Sequence, residues 1–188
     1  MDLHQLLDHR TSIRDLLPRP VDDDELVDLL WAAQGRTSDG RRTTPSAAGR
    51  HPVRLIVARG PEPAGTWRWD PDDRMLRRTA SRDVRARLAT AAIGDQPWVG
   101  TAPVTVAFCA DVGASVAHFA DQPPGDRGRR YVDIEVGTAV QNLALSATAL
   151  GLTGVIVGGF DDALVAEILQ VHAHEPRLLF SLGYPAAG

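Results

Sequence analysis

The chain has no lysine: all 20 of its basic residues are arginine. Schiff-base catalysis and a lysine-centred phosphate loop are thereby excluded. There is one cysteine, Cys109, so no intramolecular disulfide can form, as expected of a protein in a reducing cytoplasm. Cys109 lies in the apolar run Val104–Ala110 and is expected to be a buried thiol rather than a nucleophile. A net charge of -4 supplies no basic field for nucleic acid. No apolar run reaches the roughly 20 residues that a bilayer crossing needs. The most apolar segment, Ile134–Leu150, is interrupted by Glu135, Gln141 and Asn142. Met1-Asp2-Leu3-His4 is not the basic start of a signal peptide, and none is expected. G-x-G-x-x-G after a strand, G-x-S-x-G, H-E-x-x-H, C-x-x-C and G-x-x-x-x-G-K are all missing. His172-Ala173-His174 follows a predicted helix as a loop, and no metal site is expected there.

What is present fits one domain over residues 1–188, with 44% hydrophobic and 23% charged residues. Asp2–His9 reads as a short helix. Asp22 and Glu25 have capping-box spacing ahead of an apolar stripe through Leu26, Leu29, Leu30 and Ala33, ending near Gly35. Strands are expected at Val53–Ala58, Pro103–Ala110, Val155–Val157 and Arg177–Leu182. Asp70-Pro71-Asp72-Asp73 reads as a hairpin turn. Ser81 is expected to cap a helix to about Ala92, and Asp161 one to about Leu169. Gln122-Pro123-Pro124-Gly125 and scattered charge predict a mobile loop, and a candidate lid, over Asp111–Arg130. A long helix from about Arg130 to Leu150, stopped at Gly151, is so rich in small residues that both of its faces should be buried. Irregular alternation of helices and strands makes the class α+β, with a central mixed or antiparallel sheet flanked by helices.

Three short segments could carry chemistry. Arg10-Thr11-Ser12-Ile13-Arg14 offers two guanidiniums and two hydroxyls to a phosphate, though a surface patch at a helix end would look the same. Pro45-Ser46-Ala47 is small enough to lie flat against a planar ligand, as is many an ordinary loop. Val157-Gly158-Gly159 precedes the Asp161 helix, where amides form a donor site for an electron-rich atom. A tight turn needing positive φ is the plainer explanation of the glycines.

In this order the three segments resemble the nitroreductase superfamily of FMN-dependent oxidoreductases, and within it the SagB/ThcOx-type dehydrogenases. Arg10–Arg14 is similar to the family's Arg-Arg-Ser-x-Arg opening, and Leu29–Gly35 to its LLWAAQG helix end. Pro45-Ser46-Ala47 is similar to its PSAG loop. Gly137–Leu143, Ala149–Leu152 and Gly158–Asp162 resemble its central helix and flavin turn, and Leu182-Gly183-Tyr184-Pro185 its closing V-G-x-P.

The resemblance implies an intertwined homodimer with FMN at the interface and a modified peptide or small molecule as substrate. Arg10, Thr11, Ser12 and Arg14 would hold the phosphate and ribityl chain. Pro45, Ser46 and Ala47 would approach the ring, usually from the partner subunit. Val157, Gly158 and Gly159 would line the ring, with a glycine amide facing flavin N5. Relatives of this type oxidise peptide-derived azolines. Others reduce nitro compounds or quinones with NAD(P)H, and a degenerate member would be a scaffold. Tyr131 falls where azoline dehydrogenases carry a Lys-Tyr pair, so the tyrosine alone carries over as a candidate acid or base. Thr138 replaces the family's helix histidine and His51 its loop tyrosine. The C-terminal extension with a basic phosphate ligand, found in many members, is not expected after the last strand.

Overall fold

The computed structural model describes residues 1–186. One six-stranded sheet runs through it in the order β3-β2-β1-β4-β6-β5, with every strand pair antiparallel. Its strands are β1 (Val53–Arg59), β2 (Gly65–Asp70), β3 (Met75–Ala80), β4 (Val104–Ala110), β5 (Thr153–Val157) and β6 (Glu175–Gly183). The helices are α1 (Leu3–His9), α2 (Asp23–Gln34), α3 (Arg85–Ala91), α4 (Trp98–Thr101), α5 (Val112–His118), α6 (Arg127–Ala149) and α7 (Asp162–Leu169). The sheet flanked by helices is the expected α+β arrangement, without the parallel strand pair that a mixed sheet would contain.

The two-residue strand period divides the core. Val53, Leu55 and Val57 of β1, with Val104, Val106 and Phe108 of β4, face α2 and α6. Ile56, Ala58, Ala107 and Cys109 face α3, α4 and α7. Because helices cover both sides, β4 is buried along its whole length and reads as a continuous apolar run. Cys109 has no exposed surface, and burial pushes its thiol up to about 12, as a structural cysteine requires.

α2 forms where its caps direct. Glu25 accepts from the Asp22 N–H at 3.2 Å, and Leu26, Leu29, Leu30 and Ala33 are all completely buried. At the end of α6, Gly151 takes φ +73° while the Leu152 N–H reaches back to the Ala147 carbonyl at 2.8 Å.

Three sequence expectations are corrected. The segment predicted as a mobile loop, Asp111–Arg130, is largely helical. Asp111 caps α5 by accepting from the Ala114 N–H at 2.9 Å, Val112 and Phe119 are buried, and α6 begins at Arg127. Ser81 does not cap α3. Val84 occupies that position, and the Asp83 side chain accepts from the Arg85 N–H at 3.0 Å. Finally, α6 is not buried on both faces. Val132, Val136, Ala139, Val140 and Leu143 enter the core, but Ile134 is 56% exposed, and a Cβ built at Gly137 meets nothing within 4 Å.

Candidate functional site

The Arg10–Arg14 segment lies along the outer edge of β5. Ser12 bridges Gly154 in parallel, and the Thr153 hydroxyl donates to the Thr11 carbonyl at 3.2 Å. Gly154 is glycine for the fold's own sake: its Cβ would come within 2.6 Å of the Ser181 carbonyl and 2.7 Å of the Phe180 ring. Thr11, Ser12 and Arg14 are exposed, and Arg10 is half-buried. Among the described residues neither Arg10 nor Arg14 has a carboxylate partner, although ten other arginines do. The Arg14 guanidinium instead stands 5.1 Å from the ring centre of Trp98. The Trp98 indole N–H is buried and has no acceptor among the described residues.

β5 runs past this segment into Gly158-Gly159. Ile93 donates its N–H to the Gly159 carbonyl at 2.9 Å, and the Gln96 side chain does so at 3.3 Å. Among the described residues, the N–H groups of Gly158 and Gly159 have no backbone or side-chain acceptor. Neither glycine is among those with positive φ, and a Cβ at Gly158 would meet nothing within 4 Å. The tight-turn explanation of this pair therefore fails. The fold does not require glycine at Gly158, whereas a ligand lying against bare backbone would. The Val157 side chain is buried in the core, so its backbone alone is available to a ligand.

The third segment is elsewhere. Pro45-Ser46-Ala47 leads into β1 and is tied to α6. The Asn142 amide donates to the Thr43 carbonyl at 3.2 Å, and Ser46 shares a small cavity wall with the buried carboxyl of Glu135. Glu135 accepts from the Gln34 amide at 3.2 Å. β4 and β6 separate β1 from β5, which at strand spacing is a displacement of roughly 14 Å. Two of the three predicted segments thus meet within one chain, and the third does not join them.

Tyr131 belongs with that third segment. Its hydroxyl donates to Gln122 Oε1 at 2.7 Å, its ring packs edge-on to Phe119 at 4.8 Å, and it shares a small cavity wall with Ser46, Ala47 and Glu135. His51 donates its N–H to Ser46 Oγ at 2.8 Å, closing the loop from the other side. Thr138, the histidine replacement, turns its hydroxyl back onto the Ile134 and Glu135 carbonyls. Sequence reasoning missed Gln96 and Trp98. Their only signal was a polar residue and a proline ahead of a tryptophan, which no spacing rule distinguishes from a helix start.

Together these groups form an anion-compatible, donor-rich edge, with a small-residue loop at a separate place beside a buried carboxylate. Among the described residues, no helix is long and apolar enough to cross a membrane. A model described as the nitroreductase family matches residues 7–184. Over 186 residues the chain is 34% identical to a provisionally named nitroreductase of Methanocaldococcus jannaschii, spanning 96% of this chain and 90% of that protein. The crystal structure of a provisionally named nitroreductase from Ralstonia eutropha JMP134 superposes with a TM-score of 0.84 at 29% identity, over 100% of this chain and 85% of that one. A chain of the Escherichia coli microcin synthetase McbBCD complex with truncated pro-MccB17 bound gives 0.79 at 18% identity, over 95% and 70%. At that identity the likeness is one of fold alone.

Proposed function

Because the chain belongs to the nitroreductase family, whose model spans residues 7–184, we propose that it is an FMN-dependent oxidoreductase acting as a homodimer. The observation that carries this is the outer edge of β5, where the unpaired amides of Gly158 and Gly159 just past the strand's end lie near the edge-bridging segment that carries Arg10 and Arg14, two guanidiniums without carboxylate partners among the described residues. Arg10, Thr11, Ser12 and Arg14 would hold the phosphate by charge-assisted hydrogen bonds. Gly158 and Gly159 would donate to a ring heteroatom, with the Val157 backbone beside them. FMN supplies the two-electron redox chemistry when bound, and the protein binds, orients and shields it.

Pro45, Ser46 and Ala47 would come from the second copy, since one chain holds them some strands away. The surface agrees. α1 buries none of its residues, leaving Leu3 63% and Leu7 53% exposed, and α6 leaves Ile134 open. An apolar surface of this kind fits a second protomer better than water. Replacing Ile134 by glutamate costs one chain little, because the side chain is already exposed. Light scattering should show a dimer for the wild type and a folded monomer for Ile134→Glu, with flavin retention lost together with the dimer. A wild-type monomer that retains flavin would refute the shared site.

For substrate we infer a peptide-derived azoline or similar heterocycle, oxidised by the flavin. The SagB-like motifs support this, as does Tyr131, whose phenol sits on the wall of the loop that would face the partner's flavin and could move a proton there. The second reading is NAD(P)H-driven reduction of nitro compounds or quinones, favoured by the name of the 34% identical relative.

The purified protein should be yellow and release FMN on denaturation. Arg10→Ala should weaken flavin retention roughly tenfold or more, the worth of one charge-assisted contact. A colourless protein that cannot be reconstituted would leave only a scaffold role. Without oxygen or peptide, NADPH should leave the flavin oxidised. Bleaching by NADPH alone would hand the protein to the second reading.

A further inference from the structure

Away from the candidate flavin site, the sheet forks. β1 and β2 are paired from Ile56↔Arg68 to Arg59↔Gly65 and no further. Beyond Arg68 the strands part, and a cavity of about 200 Å³ opens between them. Arg42, Arg54, Arg68 and His51 line it, together with Asp70 and Asp72. The two carboxylates are occupied by guanidiniums from outside: Arg77 reaches Asp70 at 2.9 Å and Arg36 reaches Asp72 at 2.6 Å.

The arginines of the fork are less well paired. Arg42 comes no nearer than 3.8 Å to Asp72. Among the described residues Arg54 donates only to the His51 and Val53 carbonyls, at 2.9 and 3.2 Å. Arg68 is exposed and has no acceptor among the described residues. His51 Nδ1 is buried and equally unpartnered, on a residue held at φ +47°. For a side chain of that size the left-handed backbone is costly, and such strain persists where the surroundings impose it. Arg54 and Arg68 also line a neighbouring cavity of about 270 Å³. Three guanidiniums around one hollow repel one another. Burial and the Arg36 and Arg54 charges push Arg42 below its usual range, despite Asp72. An anion would offset this repulsion and accept from the unpaired donors.

We propose that the fork is an oxyanion site, taking the phosphate or carboxylate of a small ligand between Arg42, Arg54 and Arg68. A cavity of that size suits a small anion better than a drug-sized molecule. No residue proposed for the flavin lies in it, so the site stands independently of that reading. Its wall touches the flavin loop at one point, the His51 N–H on Ser46 Oγ.

The test is calorimetric titration of the purified protein with inorganic phosphate and, separately, succinate, with chloride holding the ionic strength constant. The expected result is saturable binding of one anion per chain in roughly the millimolar range or tighter. The tighter probe distinguishes a phosphoryl from a carboxylate source. Arg68→Ala, at an exposed position whose side chain has no hydrogen-bond or ion-pair partner among the described residues, should weaken binding roughly tenfold or more. Arg68→Lys should restore part of it, and flavin retention should be unchanged in both variants. No saturation by either anion up to tens of millimolar would overturn the proposal, as would equal binding to Arg68→Ala.

Discussion

Gly158→Val should abolish flavin retention while leaving the folded chain as stable as before. Nothing of the protein's own lies within 4 Å of the Cβ that valine adds, the backbone is not in a left-handed region, and the residue is exposed. Substitutions of that kind shift stability by no more than about 0.5 kcal/mol. The space is free only until a ligand is pressed against the backbone. Valine would then hold the ring off the Gly158 and Gly159 amides, and a loss of about 100-fold in FMN affinity, roughly 2.7 kcal/mol, is expected. Gly154 is the control. Its Cβ would collide with the Ser181 carbonyl and the Phe180 ring, so Gly154→Val should unfold the chain rather than spare it. Thermal melting followed by flavin release from both variants separates a glycine required by a ligand from one required by the fold. Unchanged FMN binding in Gly158→Val would remove the glycine pair from the site.

That distinction marks how far the sequence could be read. The helix at Asp22 and the strand at Val104 were legible because each carries its own local cause, a capping box in one case and a continuous apolar run in the other. Asp111–Arg130 was misread because Gln122-Pro123-Pro124-Gly125 dominates its composition. Meanwhile α5 is only seven residues long and rests on one side-chain cap, Asp111 to Ala114. The small residues of α6 read as two buried faces, yet Ala139, Ala144 and Ala147 lie in the chain's own core while Gly137 is open, and hydropathy does not say what covers a face. A face covered by the chain's own core and one covered by a second copy look alike in sequence. The order of the three candidate segments was readable, but not the pair of strands that keeps Pro45–Ala47 away from Gly158. Arg42, Arg54 and Arg68 form no motif at all. They converge because β2 leaves β1 at Arg68, a fact of register rather than of spacing.

Glu135→Leu should destabilise the chain markedly although the residue touches no proposed ligand. Glu135 is 2% exposed; its carboxyl accepts from the buried Gln34 amide at 3.2 Å and has the Ser46 hydroxyl and the Val53 N–H beside it. Leucine accepts from none of them, and a buried donor left unpaired costs about 1–3 kcal/mol. The expected loss is roughly 2–3 kcal/mol, or about 5–10 °C in melting temperature for a domain of this size. Flavin retention should fall as well, since Glu135 shares a cavity wall with Ser46 and Ala47. The pH dependence follows from the same burial. Desolvation raises the Glu135 carboxyl above its ordinary range, against the lowering pull of its hydrogen bonds and Arg54. The folded chain therefore binds this proton more tightly than the unfolded one does. Glu135's contribution is fully present below the unfolded carboxyl value of about 4.3 and declines as pH rises through the higher folded value. Glu135→Gln does not titrate, so the stability of the wild type relative to it should drop across that window and level off above it. Denaturant melts of the two proteins at stepped pH measure this difference directly. A flat difference would mean that the carboxyl is no harder to ionise in the fold than in the open chain, and the cost assigned to its burial would be wrong.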